Sequence, residues 1–133
     1  MEVKIYYEDT DCGGVVYYAN YLKYFERART DYLEERGLTV QGFLKEGTQF
    51  MVVRAEVNYK SPARLGEILT VETTIDTSKN ASVTFSHTFR ERTSGRVIVE
   101  GSATLVTTTL DGKLKRMDES LVKRLQAPPK GSS

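Results

Sequence analysis

Residues 6–29 read YYEDTDCGGVVYYANYLKYFERAR, and this stretch decides the fold. It passes from an alternating segment with several carboxylates, through two adjacent glycines, into a segment whose apolar residues recur every three or four positions. The first pattern predicts a β-strand and the second predicts an amphipathic α-helix. The helix is expected to begin at Asn20, to run for about four to five turns, and to end at Gly37.

Alternation of apolar and polar residues predicts five β-strands in all. The first begins at Val3 and continues through Tyr7, and the second places Met51, Val53, Ala55, Val57 and Tyr59 on one apolar face. A period of two with one apolar face is typical of an antiparallel sheet that buries only that face. The last four strands are expected at residues 51–60, 69–76, 83–90 and 97–106, with turns at residues 61–66, 77–80 and 93–95.

The order of the elements predicts the fold class. Short helices are expected at residues 39–45 and 118–125, and the main elements follow the order β-α-β-β-β-β. An α+β fold results, in which one antiparallel sheet wraps around the long helix. We expect residues 1–125 to form a single domain and residues 126–133 to form a disordered tail.

Composition indicates a soluble globular protein. Of 133 residues, 39% are hydrophobic and 28% are charged, and the formal net charge is +1. A charge near zero provides no field for binding nucleic acid or a membrane surface. No signal peptide is evident, and no apolar run reaches the roughly 18 residues that a membrane span requires. Cys12 is the single cysteine, which fits a reducing compartment, so a cytoplasmic location is expected.

The acidic pair Asp9 and Asp11 is a candidate metal site. In a calcium loop that starts at Asp9, the fifth and twelfth positions must supply oxygen ligands, but here they are Gly13 and Asn20. A solvated or capping pair is therefore favoured over a metal site. The absence of a Walker loop and of a Gly-x-Gly-x-x-Gly motif disfavours nucleotide hydrolysis and dinucleotide redox chemistry, and no cofactor is expected.

Nucleophilic catalysis by Cys12 or by a serine would require a base. The single histidine, His87, alternates with Phe85 and Phe89 in a predicted strand, which favours a buried core histidine. Asp11 is a better candidate, because the glycines after it and the helix start beyond them offer backbone N–H groups to a developing oxyanion. Five aromatic residues lie nearby in the sequence: Tyr17, Tyr18, Tyr21, Tyr24 and Phe25. They could form the helix core and a subunit contact, or an apolar pocket for an acyl group.

These residues resemble those of the 4-hydroxybenzoyl-CoA thioesterase family. The resemblance rests on DTDCGGVVY at residues 9–17, on Tyr21, on YFERAR at residues 24–29 and on YKSPARLG at residues 59–66. It spans roughly residues 3–125, and within the family the chain is similar to small acyl-CoA thioesterases associated with the Tol–Pal cell-envelope system. Many members of that branch have histidine where this chain has Tyr18, and tyrosine there resembles the hydroxybenzoyl-CoA branch.

The resemblance implies a hotdog fold, in which a five-stranded antiparallel sheet wraps around a long central helix. It also implies a homodimer joined edge to edge through its sheets, or a homotetramer, with active sites at the dimer interface. The family's catalytic aspartate matches Asp11, and its oxyanion donor matches the backbone N–H of Tyr18. The substrate-binding residues would be Gly13, Gly14, Val16, Tyr17, Lys60 and Arg64. Lys60 and Arg64, which in a turn are usually only solvated, would contact the phosphates of coenzyme A.

The chain is therefore predicted to hydrolyse an acyl-CoA to a carboxylic acid and free coenzyme A. Asp11 would act as a general base on water or as a nucleophile. An acyl carrier protein is an alternative acyl donor. Two other functions stay open: a non-catalytic partner in acyl-carrier or lipid synthesis, and an enoyl-CoA hydratase or dehydratase, a class that relies on an active-site histidine in the resembling families.

Overall fold

A computed structural model describes residues 1–78 and 81–130, and it contains one antiparallel sheet with a long helix on one face. The elements in chain order are β1 (Glu2–Lys4), a short 3-10 helix (Tyr7–Asp9), α1 (Asn20–Glu34), α2 (Val40–Lys45), β2 (Gln49–Tyr59), β3 (Ile68–Ser78), β4 (Ser82–Glu91), β5 (Val97–Thr108) and α3 (Glu119–Gln126). The strand order is β1-β3-β4-β5-β2, and each neighbouring pair is antiparallel. The predicted α+β fold is confirmed.

The first strand is shorter than its alternation predicts. It covers only Glu2–Lys4, and the expected continuation through Tyr7 is wrong because the chain turns into the 3-10 helix. The turn is closed twice: the N–H of Asp9 donates to the carbonyl of Tyr6 at 3.0 Å, and the N–H of Tyr6 donates to the Asp9 carboxylate at 2.9 Å. The hydrogen bond from the N–H of Tyr6 to the Asp9 carboxylate is local, and such bonds compete with strand pairing for the backbone donor.

Strand β2 contains a bulge that the sequence pattern did not indicate. Its pairing with β5 shifts register between Val52 and Arg54, so Val53 is the extra residue. The prediction that Met51 and Val53 share a face with Ala55 is therefore wrong. Instead, the residues of β2 that lie opposite the core-facing residues of β5 are Phe50, Val52, Ala55, Val57 and Tyr59.

Helix α1 packs its apolar stripe against the sheet and forms the middle of the core. Its buried residues are Tyr21, Tyr24, Phe25, Ala28, Tyr32 and Leu33. The helix ends at Glu34, and the predicted C-terminal cap at Gly37 is confirmed: Gly37 has a φ of +73°, and the N–H of Leu38 donates to the carbonyl of Leu33 at 2.9 Å. In the described part of the chain, no helix has the length and apolar character that crossing a bilayer requires.

The carboxyl-terminal segment packs against the end of α1. The hydroxyl of Tyr32 donates to the carbonyl of Leu125 at 2.7 Å, and Nε of Arg36 donates to the carbonyl of Ala127 at 2.6 Å. The N–H of Lys130 donates to the carbonyl of Glu35 at 2.7 Å. The part of the expected tail up to residue 130 is thus placed against α1. Residues 131–133 and part of the predicted turn at residues 77–80 lie outside the described residues.

Helix α1 approaches the sheet closely at Gly101 on β5. A Cβ atom added at Gly101 would lie 2.3 Å from ring carbons of Phe25, far inside van der Waals contact. The Phe25 ring also stacks on His87 of β4, with ring centroids 5.3 Å apart, and His87 pairs with Gly101 across the strands. A glycine at this position therefore allows α1 to approach the sheet.

Replacing Gly101 with alanine should destabilise the protein by about 1–3 kcal/mol, because the added methyl group overpacks the core against Phe25. The free energy of unfolding from denaturant titration measures the effect. Ser102→Ala, one residue along the same strand, is the matched control and should change stability by less than about 0.5 kcal/mol. Equal stability of Gly101→Ala and the wild type would contradict this description of the contact.

Candidate active site

Asp11 lies at the turn of a tight hairpin formed by residues 9–17. The N–H of Asp11 donates to the carbonyl of Val15, and the N–H of Tyr17 donates to the carbonyl of Asp9, each at 3.0 Å. Gly14 closes the turn by donating to the Asp11 carbonyl at 3.0 Å, with a φ of +75°. Glycine adopts this left-handed conformation without steric cost, so Gly14 shapes the loop that presents Asp11.

The carboxylate of Asp11 is exposed and only partly engaged. One oxygen, Oδ1, accepts a hydrogen bond from the N–H of Gly13 at 2.8 Å. A Cβ atom at Gly13 would lie 3.3 Å from the same oxygen, so glycine leaves the carboxylate room. The other oxygen has no hydrogen-bond or ion-pair partner within residues 1–78 and 81–130. The side chain is thus oriented by one bond and accessible to a ligand.

The hairpin is tied to the start of α1 through Asn20. Its side-chain Nδ2 donates to the carbonyl of Asp9 at 3.0 Å, and its backbone N–H donates to the carbonyl of Tyr17 at 2.9 Å. Sequence reasoning did not identify Asn20 as a site residue. An asparagine at the first position of a predicted helix is the signal that could have shown it, since such residues commonly bond to neighbouring backbone groups.

The start of α1 is not capped by a side chain. Thr39 caps α2 and Asp118 caps α3, each by accepting a backbone hydrogen bond, but the residue before α1 is Ala19. The N–H groups of Tyr18 and Ala19 donate to no acceptor in the described part of the chain. A missing cap destabilises a helix by about 1 kcal/mol, and the open N–H groups carry partial positive charge. The arrangement suits a negatively charged oxygen.

Aromatic side chains surround this helix start. Tyr18 lies between Tyr17, with ring centroids 5.1 Å apart, and Tyr59, with ring centroids 6.4 Å apart. The hydroxyl of Tyr59 donates to the carbonyl of Tyr18 at 3.3 Å. Sequence reasoning gave Tyr59 no role at the helix start, because the contact joins residues 41 positions apart. The end of β2 therefore supports the helix start.

The predicted aromatic cluster divides into two groups. Tyr17 and Tyr18 are exposed, whereas Tyr21, Tyr24 and Phe25 are buried in the core. Burial raises the pKa of Tyr21 to about 12. Burial, and then the Asp9 carboxylate, raise the pKa of Tyr24, although Asp9 is not in hydrogen-bonding geometry with its hydroxyl. Both phenols therefore stay neutral near pH 7.

Comparison with known proteins assigns the family. The family model described as the thioesterase-like superfamily matches residues 6–125. The chain belongs to the thioesterase-like superfamily. It is 40% identical over 115 residues to "Acyl-CoA thioesterase YbgC" of Haemophilus influenzae, covering 85% of this chain and 82% of that protein.

Two further relatives of the superfamily are informative. "Acyl-CoA thioester hydrolase YbgC" of Escherichia coli O6:H1 is 42% identical over 84 residues, and the match spans 63% of each protein's length. A crystal structure of a 1,4-dihydroxy-2-naphthoyl-CoA thioesterase from Synechocystis superimposes with a TM-score of 0.86 at 22% identity, covering 94% of this chain and 93% of that one. This structural likeness supports the hotdog fold.

Three further predicted site residues, Val16, Lys60 and Arg64, lie in or beside the hairpin. Val16 faces the core. Val16 is 7% exposed, and its side chain belongs to the core. Arg64 pairs with Val15 in an isolated antiparallel bridge, which places residues 63–65 alongside the hairpin. Lys60 is exposed and directly follows Tyr59. The structure thus brings Lys60 and Arg64 to the segments that adjoin Asp11 and Tyr18.

The loop that carries Arg64 is held by a residue that sequence reasoning missed. The guanidinium of Arg96 donates to both carboxylate oxygens of Glu67 and to the carbonyl of Pro62, each at 3.1 Å. Glu67 in turn accepts a hydrogen bond from the N–H of Arg64 at 2.7 Å. All three of these contacts involve one nitrogen, Nη2, while Nε of Arg96 donates to the hydroxyl of Ser61 at 3.2 Å. Hydrogen bonds between charged groups are stronger than neutral ones, so Arg96 supports the loop that carries Arg64.

His87 lies in the core, as its sequence context predicts. It is 1% exposed, its Nδ1 lies 3.0 Å from the hydroxyl of Thr73, and its Nε2 has no partner in the described part of the chain. Burial, with a smaller effect from Arg29, lowers the pKa of His87 to about 4. The imidazole is therefore neutral near pH 7 and remote from the hairpin of Asp11.

Stability should decrease on acidification through the range between pH 6.5 and 4. The folded-state pKa of His87 is depressed, so the unfolded chain binds a proton first, near pH 6.5, and the stabilisation is lost as the pH falls. The loss attributable to His87 is of the order of 3 kcal/mol. The free energy of unfolding of the wild type and of His87→Leu, measured at pH 7, 6, 5 and 4, tests this. Parallel curves for the two proteins would show that His87 does not titrate this way.

Proposed function

We propose that the protein hydrolyses an acyl-CoA thioester to a carboxylic acid and free coenzyme A. The observation that carries the proposal is the uncapped start of α1 beside the exposed carboxylate of Asp11. A carbonyl oxygen that gains negative charge needs N–H donors, and a water molecule or acyl carbon needs a carboxylate nearby. The names of the relatives from Haemophilus influenzae and Escherichia coli support the same reaction class.

In the general-base route, Asp11 accepts a proton from water while the water oxygen attacks the thioester carbon. The carbonyl oxygen becomes an oxyanion, which the N–H groups of Tyr18 and Ala19 stabilise by about 3 kcal/mol per well-placed donor. The carbon–sulfur bond then breaks, and the thiolate leaves with the proton. Thiolates leave readily, so one carboxylate and an oxyanion hole are sufficient for this chemistry.

In the nucleophilic route, the free oxygen of Asp11 attacks the thioester carbon and displaces the thiolate. The resulting mixed anhydride is then hydrolysed by water. Both routes use the same carboxylate and the same N–H donors. Isotope from labelled water enters the Asp11 carboxylate only in the nucleophilic route, when water attacks the anhydride at the aspartyl carbon.

Substrate binding is assigned to the surfaces that adjoin the hairpin. Gly13 and Gly14 let a ligand approach the donors closely, and Tyr17 offers an exposed ring beside them. Lys60 and Arg64 lie on neighbouring segments and carry positive charges suited to the phosphates of coenzyme A. An acyl carrier protein, whose prosthetic group also ends in a thioester, is the alternative acyl donor.

The rival functions are less well supported by the site. Hydration of an enoyl-CoA by histidine catalysis would require an accessible imidazole, and the single histidine, His87, is buried in the core. A purely binding role would leave the open N–H groups and the free carboxylate oxygen without a use. Hydrolysis uses both.

The active form is proposed to be a homodimer joined through β2. This strand lies at the edge of the sheet, and most of its residues are exposed on both faces. Met51, Val52 and Val53 are among its exposed apolar residues, and Val53 is 56% exposed. An uncovered edge strand with apolar side chains readily pairs with another strand, and a two-fold dimer is the commonest closed homo-oligomer.

Asp11→Asn should lower kcat for acyl-CoA hydrolysis by about 10²–10⁴, because the amide can neither accept the proton from water nor attack the thioester. Release of free thiol from a panel of acyl-CoAs measures turnover. Glu8→Gln, which removes an exposed carboxylate three residues away, should retain wild-type activity. Unaltered turnover by a folded Asp11→Asn variant would exclude Asp11 as the catalytic group.

Val53→Asp should convert the dimer to a monomer of 15.0 kDa and abolish activity, because it places two like charges near the proposed two-fold axis. Light scattering after gel filtration gives the mass, and thiol release gives the activity. Asp111→Asn, on an exposed turn away from β2, is the control for a surface charge change. A fully active monomer would contradict the dimeric site.

A further inference from the structure

The hydroxyl of Tyr24 is a buried polar group without a partner. Tyr24 is 2% exposed, and its ring lies edge-on to Tyr21 with centroids 5.9 Å apart and stacks on Phe89 with centroids 6.3 Å apart. Its hydroxyl makes no hydrogen bond within residues 1–78 and 81–130. A buried hydroxyl without a hydrogen bond destabilises a protein, and such groups are rare in native structures. The ring of Tyr24 is thus well packed, whereas its hydroxyl stabilises nothing in this conformation.

Tyr24 lies beside the base of the hairpin that carries Asp11. The hairpin is bound to α1 through Asn20, whose side-chain Nδ2 donates to the carbonyl of Asp9 at 3.0 Å. Tyr24 follows Asn20 by one helical turn, so the two side chains are on the same face of α1. Helix side chains lean toward the amino terminus, which directs the Tyr24 ring back over the turn of Asn20. Asp9 and the Tyr24 hydroxyl are therefore neighbours, and after burial the Asp9 carboxylate is the next cause that raises the pKa of Tyr24.

The Asp9 carboxylate has one oxygen that is free to accept a hydrogen bond. Its Oδ2 accepts from the N–H of Tyr6 at 2.9 Å, and its other oxygen has no hydrogen-bond partner in the described part of the chain. Asp9 is half-buried, and its carbonyl also accepts from the N–H of Tyr17 at 3.0 Å, across the hairpin. A small shift of Asp9 toward α1 therefore moves the hairpin, and Asp11 with it. The free acceptor of Asp9 and the free donor of Tyr24 are complementary.

We propose that Tyr24 is a positioning residue for Asp11. When a thioester is bound, the hydroxyl of Tyr24 donates to the free oxygen of Asp9, and this bond fixes the hairpin of residues 9–17 against α1. The thioester favours this closed form because it contacts both parts, its carbonyl oxygen at the N–H of Tyr18 on the helix and its carbon at Asp11 on the hairpin. A hydrogen bond to a carboxylate is stronger than one between neutral groups. This inference rests on the proposed thioesterase function.

Tyr24→Phe keeps the ring and removes only the hydroxyl. The free protein loses no hydrogen bond and is relieved of an unpaired buried group, so the midpoint of urea unfolding should stay the same or rise. The kcat/KM for acyl-CoA hydrolysis should fall by about tenfold or more, which is the effect of losing one hydrogen bond to a charged group. A lower midpoint together with an unchanged kcat/KM would assign the hydroxyl a purely structural role and overturn the inference.

Tyr32→Phe is the matched control, because it removes the hydroxyl of another buried tyrosine on α1. The hydroxyl of Tyr32 donates to the carbonyl of Leu125 at 2.7 Å, at the opposite end of the helix from the site. This variant should lower the midpoint of urea unfolding, since a hydrogen bond is lost, and should leave kcat/KM unchanged. The two substitutions thus remove the same atom and should have opposite effects: one on catalysis and the other on stability.

A double-mutant cycle tests whether Tyr24 acts through Asp9. In an Asp9→Ala background the acceptor is absent, so adding Tyr24→Phe should change kcat/KM by less than about twofold. The same fold loss with and without the Asp9 carboxylate would show that the hydroxyl acts through another group, which overturns the inference.

Hydrogen exchange gives a readout that is independent of turnover and of the Asp9→Ala variant. The N–H of Tyr17, which is bonded to the carbonyl of Asp9, should exchange about tenfold more slowly when the wild type is saturated with acetonyl-CoA, a ketone that cannot be hydrolysed. In Tyr24→Phe, saturation with the same compound should slow this exchange much less. Equal slowing in the two proteins, followed by NMR, would contradict the closed form.

The outcomes separate this inference from the function on which it rests. No turnover of any acyl-CoA by the wild type would defeat the proposed function, and the inference with it. Turnover that requires Asp11 but is equally efficient in the wild type and in Tyr24→Phe would preserve the thioesterase and reject Tyr24 as a positioning residue.

Discussion

The position of α1 depends on one close contact, between the ring of Phe25 and the backbone of β5 at Gly101. The ring occupies the space that a side chain at position 101 would need, and it is also stacked on His87 of the neighbouring strand. Tertiary packing of this kind supplies most of the stability of a helix in a protein. The helix is therefore stabilised by packing along its buried face, from Tyr21 to Leu33, although no side chain caps its first turn.

The first turn of α1 offers backbone N–H groups, so the proposed site requires few side chains for binding a negatively charged oxygen. The hairpin of residues 9–17 is held by backbone hydrogen bonds and by Asn20, and the N–H groups of Tyr18 and Ala19 are left open. The side chain that we propose to supply the chemistry is that of Asp11. A backbone N–H group is present whichever side chain its residue carries. Tyrosine at position 18, where many proteins of the resembling branch carry histidine, therefore keeps this donor.

Strong periodicity made much of the fold predictable. α1 and strands β3 to β5 follow their apolar patterns because each buries one face. Asp11 and its glycines could be singled out as candidates because the motif is contiguous, and their role stays a prediction. The end of β1 was missed because a local bond from Asp9 overrides the alternation. Asn20, Tyr59 and Arg96 were missed because their roles arise from contacts between distant segments.

The bulge at Val53 makes the length of β2 more important than the identity of residue 53. Side chains alternate between the two faces of a strand, so one extra residue changes which positions face the helix. Before the bulge these positions are Phe50 and Val52, and after it they are Ala55 and Val57. Loss of one codon here would reverse the two faces of the first half of β2 and expose Phe50 to water. The fold should therefore tolerate substitution of Val53, but not its deletion.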